Sequence, residues 1–453
     1  MRRSAGWLTA VVSAWALLAS LSAAAGGALE AVSPRWPLAF GAAALWGLNL
    51  LILLYGVGSP FSLTRIPILA AGFGLLMTVL GTGSYWATTV LFPGYEVNIE
   101  RAMLLVALCT SVTLTSLVVC LRVLERIPHA SGAHIEWDWE RLRVVTYLVT
   151  AAAAIGTLES LRRIGYIPIL SGDPASVRFD FPMIGGIWYR LSVMGGVGAL
   201  LAAAQVASRQ ARLGVYAAGL ACLLMVSAYG ARFLVALPVG VALLLWDRFR
   251  ARLPVVRTAL MLALVMPIVP LLGYLRQGFP LSRALGPGGL FFFNTFLEFR
   301  DLGWAMDFFG DGNRLVHGST LGSVLVPLLP APLWTLVGID KAALYSRDSA
   351  TLVADAMGQT TGQRIGAYGE FFMNYGWPGA LLGAALYGVL LAYLDWRFRH
   401  STPGQVRSLL LGLTAAAAIF AQIGQLNMFT STLTGLGYPV LLVALFVARR
   451  PSE

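Results

Sequence analysis

LRQGFPLSRALGPGGLFFFNTFLEFRDLGWAMDFFGDGNRLVHGSTLGSVLVPLLPAPLWTLVGIDKAALYSRDSATLVADAMGQTTGQRIGA, Leu275–Ala367, is the one long interruption in a nearly continuous series of apolar runs. Its 93 residues hold Arg276, Arg283, Glu298, Arg300, Asp301, Arg314, His317, Lys341, Arg347 and Arg364, and Glu370 follows at once in the next apolar run. Around this stretch 58% of the 453 residues are hydrophobic and 12% charged, with a mean hydropathy of +0.75. So few charges cannot cover a water-facing surface, which excludes a soluble globule. The fold class is therefore an all-α integral membrane protein forming a single polytopic domain over residues 1–453, with room for about 12 transmembrane helices.

Runs of spanning length predict helices at Gly6–Leu29, Pro37–Val57, Ile66–Phe92, Ala102–Leu121, Val144–Leu161 and Met183–Val206. Six more are expected at Gly214–Ala228, Ala231–Trp246, Thr258–Tyr274, Tyr368–Trp396, Ser408–Leu426 and Thr432–Val447. The "LSAAAGG" end of the first run has the letters of a signal-peptide cleavage site, but counting it as an uncleaved span gives a consistent topology. Alternating the spans from an inside start places 18 of the 32 basic residues in cytoplasmic loops or tails, as the positive-inside rule requires. Both termini are then cytoplasmic, and the Leu275–Ala367 stretch is extracytoplasmic. The second outer loop of consequence is Arg162–Pro182.

The net charge of +11 rests on 31 Arg and one Lys against 21 acidic residues, and topology explains it. No basic stretch with interleaved aromatics stands outside the apolar runs, so nucleic acid is not an expected partner. Cys109, Cys120 and Cys222 all fall in apolar segments and indicate neither disulfides nor a thiolate metal site.

Inside the long stretch, Asn294, Glu298 and Asp301 fall at i, i+4 and i+7. They give Gly289–Phe309 a single polar face and predict a helix lying in the membrane interface. Leu321–Trp334 is apolar, but Pro327, Pro330 and Pro332 prevent a regular span, so a re-entrant or interfacial piece is expected. Gly214–Trp246 offers 33 residues for two crossings, fewer than the roughly 34 that two spans need. The turn at Tyr229-Gly230 should therefore lie below the outer surface and carry Arg232 with it. Arg190, some seven residues into its span, is a second charge at depth.

No Walker A loop, HExxH or GxSxG is present, and no cofactor is expected. Asp307, Asp311 and Asn313 have calcium-like letters without EF-hand spacing, so no metal is expected either. What remains is an outward set of arginines with a few carboxylates. Guanidinium groups match diphosphate oxygens in geometry and charge, which makes Arg232, Arg276, Arg314 and Arg364 candidates for gripping a phosphorylated lipid headgroup. For each, a snorkelling arginine touching membrane lipid phosphate is the competing reading. Glu370 and Asn374 lie one turn apart at the outer end of their helix. Glu370 could act as a general base on a sugar hydroxyl, or the pair could simply hydrogen-bond between helices. Glu298 is the rival base, and His317 is either a catalytic or an interfacial hydrogen-bonding residue. Glu159 with Arg162 and Arg163 has the spacing of a local ion pair.

Three places carry a family resemblance. "YGARFLVALPVGVALLL" (Tyr229–Leu245) looks like a small-small-Arg start to a short helix. "VHGSTLGSVLVPLLPAPLWTLVGIDK" (Val316–Lys341) is similar to a Gly-x-Thr, Pro-rich, Trp-containing loop ending near Lys. "GAYGEFFMNYGWPGALLGAALYGVLLA" (Gly366–Ala392) resembles a Gly-Glu-x-x-x-Asn-[Phe/Tyr]-Gly-x-x-Gly helix start. Together they resemble the Wzy-type oligosaccharide repeat-unit polymerases, the O-antigen polymerase-like family. The "PAPLW" segment departs from the pattern in lacking an Arg after the Pro.

The resemblance implies a glycosyltransferase with a GT-C-like helical bundle, using polyprenyl-diphosphate-linked oligosaccharides on the outer face of the inner membrane. It also implies chain-length regulator and flippase proteins as partners. A growing glycan would pass from polyprenyl diphosphate to the next lipid-linked repeat unit, with arginines stabilising the departing diphosphate. An O-antigen ligase-like transferase and a lipid-linked oligosaccharide flippase are the alternatives. Arg232 and Glu370 are expected to face each other across the long loop.

Overall fold

The computed structural model describes residues 41–52, 66–70, 99–128, 135–167, 174–229, 232–251, 299–310, 314–358 and 365–449, apart from isolated positions inside those ranges. The described part is almost wholly helical. Five stretches are long and apolar enough to cross a membrane: Arg101–Leu124, Trp139–Ile164, Gly186–Ala207, Gly366–Arg399 and Leu426–Val447. Their outward faces carry bare apolar side chains, Leu148, Ile155 and Leu158 on one helix and Leu382, Leu386 and Val389 on another. Such surface is stable against lipid and not against water, so the protein is membrane-embedded.

The helices are α1 (Ile99–Leu124), α2 (Trp139–Ile164), α3 (Pro174–Ala207), α4 (Leu213–Ser227), α5 (Arg232–Phe249) and α6 (Phe299–Phe309). The short α7 (Leu321–Leu325), α8 (Ala331–Leu336) and α9 (Ser349–Ala356) follow. The long α10 (Gly366–Arg399), α11 (Val406–Ala421), α12 (Leu426–Thr432) and α13 (Tyr438–Val447) complete the bundle. These match the runs expected from Ala102 to Trp246 and from Tyr368 to Val447. Gly6–Leu29 and Thr258–Tyr274 lie outside the described residues. Pro37–Val57 and Ile66–Phe92 are described only in part, where Leu48, Ile52, Ile66 and Ile68 pack with Leu114 and Leu117 of α1.

Three local differences have physical causes. The outer loop expected over Arg162–Pro182 is helical from Pro174 onward, and α3 bends at Gly186, whose φ of 51° and ψ of −125° break the helix. Arg190 is therefore one turn beyond a bend, and its side chain is exposed. The run expected over Ser408–Leu426 stops at Ala421, and extended backbone at Gln425 lets Leu426 begin a new helix.

Helices α1 and α10 cross closely through small residues, because Ala380, Ala384 and Gly388 recur every four positions on one face of α10. The Cys109 thiol donates to the Ala380 carbonyl at 3.7 Å, and the Thr113 hydroxyl donates to the Ala384 carbonyl at 3.0 Å. A Cβ on Gly388 would collide with the Thr113 carbonyl and stand 2.9 Å from Ser116 Cβ.

One end of the bundle collects the arginine-rich connections. Ser208 donates to the Pro403 carbonyl at 2.8 Å, Arg209 to the Arg250 carbonyl at 3.3 Å, and Arg399 to Glu125 at 3.1 Å. There too the two-residue strands β1 (Glu136–Trp137) and β2 (Ala448–Arg449) pair antiparallel. Of the loops that charge counting grouped on one side, the described ones thus meet at one end.

Candidate functional site

At the other end α10 begins. A helix of its length spans about 50 Å, so Gly366 and Arg399 mark opposite ends of the bundle. Pro378 cannot donate to the carbonyl of Asn374 and crowds it. The helix accordingly breaks at Tyr375 (φ −142°) and Gly376 (φ 64°) before resuming. Glu370 and Asn374 sit on the turn before this kink, both buried.

The kink frees the Met373 carbonyl, which accepts the Val316 N–H at 3.1 Å. This docks the turn His317–Thr320 onto α10. Asn374 then holds that turn with its whole amide. Its Oδ1 accepts the Gly318 N–H at 2.7 Å, and its Nδ2 donates to Thr320 Oγ1 at 2.6 Å and to the Glu370 carbonyl at 2.7 Å. The turn requires left-handed backbone at two successive residues, His317 (φ 45°) and Gly318 (φ 86°). At Gly318 a side chain is barred as well, since a Cβ would strike the Tyr375 hydroxyl. At His317 the conformation costs on the order of 1 kcal/mol, held in place by the docking on either side, and its side chain is exposed.

The Glu370 carboxylate reaches a different element. Its Oε2 accepts the backbone N–H of Leu426, the first residue of α12, at 3.0 Å. Thr320 and Ser349 are polar side-chain neighbours of the same group, but neither closes a regular hydrogen bond to Oε1. Among the described residues both Glu370 Oε1 and Ser349 Oγ are buried without a partner. With Glu370 only 1% exposed, a base role requires the Thr320 turn to lift, whereas the interhelical bond needs no motion.

Arg314 is exposed, and its guanidinium lies 4.7 Å from the Phe308 ring centroid. Phe308 stacks in turn on Trp304 at 4.8 Å and 12°. A guanidinium held over a ring makes no hydrogen bond to it and keeps its donors for an anion, and no carboxylate pairs with Arg314 among the described residues. The helix beneath, α6, differs from expectation. Leu302, Ala305, Met306 and Phe309 do form an apolar face, set against Leu105, Cys109 and Phe372. Asp301, however, is wholly buried, so the polar face turns inward at that position instead of lying open to the interface. The Pro-rich stretch breaks into α7, a 3-10 turn over Val326–Leu328 and α8, as its prolines dictate.

The structure thus brings together Glu370, Asn374 and the His317 turn, with Arg314 just before it. Arg276, Glu298 and Arg364 lie outside the described residues, as does the side chain of Arg232. The backbone of Arg232 opens α5, where its neighbour Phe233 packs edge-on against Phe420 at 5.5 Å, six residues before Leu426. Phe233 and Glu370 thus both contact the 420–426 segment. The Glu159 group is an ion pair with Arg162 at 2.8 Å and Arg163 at 3.0 Å. Sequence reading did not single out Thr320, Ser349 or Leu426. Thr320 stood in the quoted Gly-x-Thr, and Asp348 before Ser349 is a helix-cap signal, but Leu426 contributes only backbone and leaves no trace in a sequence. Among the described residues no group of His, Cys, Asp and Glu is placed to hold a metal.

Compared with protein-family models, with curated proteins and with solved structures, the chain matches none.

Proposed function

We propose that this protein is a bacterial envelope polysaccharide polymerase of about 12 spans in the inner membrane, with both termini cytoplasmic. It moves a growing glycan from polyprenyl diphosphate to the next lipid-linked repeat unit on the outer face. The observation that carries the reading is the docked turn of His317 and Gly318 on Asn374 and Glu370. It joins the two best-defined pieces of the family resemblance at the end of the bundle farthest from the arginine-rich loops. In the reaction an acceptor hydroxyl oxygen bonds the anomeric carbon as that carbon's bond to the diphosphate oxygen breaks. Glu370 takes the hydroxyl proton once the turn above it opens. Arg314, with Arg232, Arg276 and Arg364, neutralises the leaving diphosphate, and His317 and Asn374 contact or position the sugar. The activated lipid supplies the energy.

The experiment is the product pattern of a deletion strain complemented with wild type or with Arg314→Ala. Wild type restores the polymer ladder, and the variant leaves chiefly single repeat units. Loss of attachment with normal ladder length points instead to a ligase, and cytoplasmic build-up of lipid-linked units to a flippase; either would overturn the proposal.

A further inference from the structure

The opposite end, where α10 finishes and α11 begins, carries positive charge that the protein's own described carboxylates leave unmatched. Arg399 stands between two carboxylates, Asp395 at 2.9 Å and Glu125 at 3.1 Å. Arg407 does not share in this. It spends Nε on the Gln405 side-chain oxygen at 2.6 Å and one Nη on the His400 carbonyl at 3.2 Å, both neutral acceptors. Arg397 has no carboxylate within ion-pair distance among the described residues, and lies over the rings of Tyr393 and Trp396 at 6.0 Å from each centroid. Trp396 in turn meets the His400 ring at 5.3 Å, so Arg397, Trp396, His400 and Arg407 make one continuous patch. The two guanidiniums are close enough to repel each other, and both are half-buried. The stretches that continue the chain from this end, 129–134, 252–257 and 450–453, contain no acidic residue apart from Glu453.

Two like charges partly withdrawn from water are costly without an anion between them. The patch lies at the end of a membrane helix beside Tyr393, which is 46% exposed, at the depth where aromatic side chains meet headgroups. The anion abundant there is a lipid phosphodiester. Its oxygens fit guanidinium forks, and basic pockets between membrane helices take acidic headgroups. We infer that Arg397 and Arg407, flanked by Tyr393 and Trp396, bind the phosphate of an anionic phospholipid and so link α10 to α11. The site is at the far end from Glu370 and stands independently of the glycan-transfer reading.

The test is native mass spectrometry of the purified full-length protein, titrated with phosphatidylglycerol or phosphatidylcholine. Wild type should retain phosphatidylglycerol in preference. Arg397→Gln, which removes no hydrogen bond to the described protein, should weaken that binding about fivefold, the scale of one basic contact at a lipid surface. Adding Arg407→Gln should abolish the preference. Arg126→Gln with Arg141→Gln, which removes equal charge from exposed positions of the same end, should leave it intact. Equal retention of the two lipids by wild type would overturn the assignment, as would an unchanged preference in Arg397→Gln or an equal loss in the control pair. Displacement of the lipid by millimolar inorganic phosphate would show a free-anion site and overturn the lipid assignment.

Discussion

Glu370 Oε2 accepts the Leu426 N–H at 3.0 Å, fastening the start of α10 to the start of α12 across 56 residues of sequence. The carboxylate therefore has a structural duty whatever its chemistry, and two substitutions separate the duties. Glu370→Gln keeps an oxygen for Leu426 and removes the proposed base. Glu370→Ala leaves a buried N–H unpaired at a cost of about 1–3 kcal/mol. Heating followed by size exclusion should show Gln near wild type and Ala unfolding earlier, while both lose polymer on a gel. A full polymer ladder from Glu370→Gln would reduce Glu370 to a helix fastener.

Asn374 is more demanding, because its amide makes three hydrogen bonds at 2.6 to 2.7 Å. Replacing it with Leu strands the Gly318 N–H and frees the His317 turn, for a loss of about 3 kcal/mol. Limited proteolysis should then cut near His317 in the variant and not in wild type. Equal protection of the two would show that the turn is held by other contacts.

Gly388→Val should separate α1 from α10. Its Cβ would meet the Thr113 carbonyl and stand 3.1 Å from Leu117 N, neither of which can move without shifting the helix. Overpacking of this kind costs about 1–3 kcal/mol. Leu386→Val, on the exposed face of the same helix, should leave thermal stability unchanged.

Topology is checked by reporters. A fusion after Ser346 should read as extracytoplasmic, and one after Pro403, in the arginine-rich end, as cytoplasmic. A cytoplasmic signal at Ser346 would invert the proposed arrangement.

Much of the bundle was legible in the chain because hydrophobic runs of spanning length have one stable form in a bilayer, where every backbone group must be satisfied within its own helix. Hence the runs around Leu114 and Leu391 became helices near their expected bounds. The prolines after Val326 forced an irregular path just as directly. The i+3 and i+4 spacing of Glu159 with its arginines produced the ion pair because a helix fixes those neighbours. Gly186 and Gly376 were less legible, since glycine permits a bend without compelling one.

What the sequence determined by itself is the membrane class and the described helices, consequences of local composition and period. What only tertiary structure decided is which polar groups meet. Asp301 turned inward because the apolar face of α6 had to lie on α1 and α10, and that packing outweighed the polar stripe seen in sequence. Asn374 found Gly318 and Thr320, and Glu370 found a backbone N–H of Leu426. Such partners depend on how kinked helices dock, a property of three-dimensional packing that no spacing along the chain encodes.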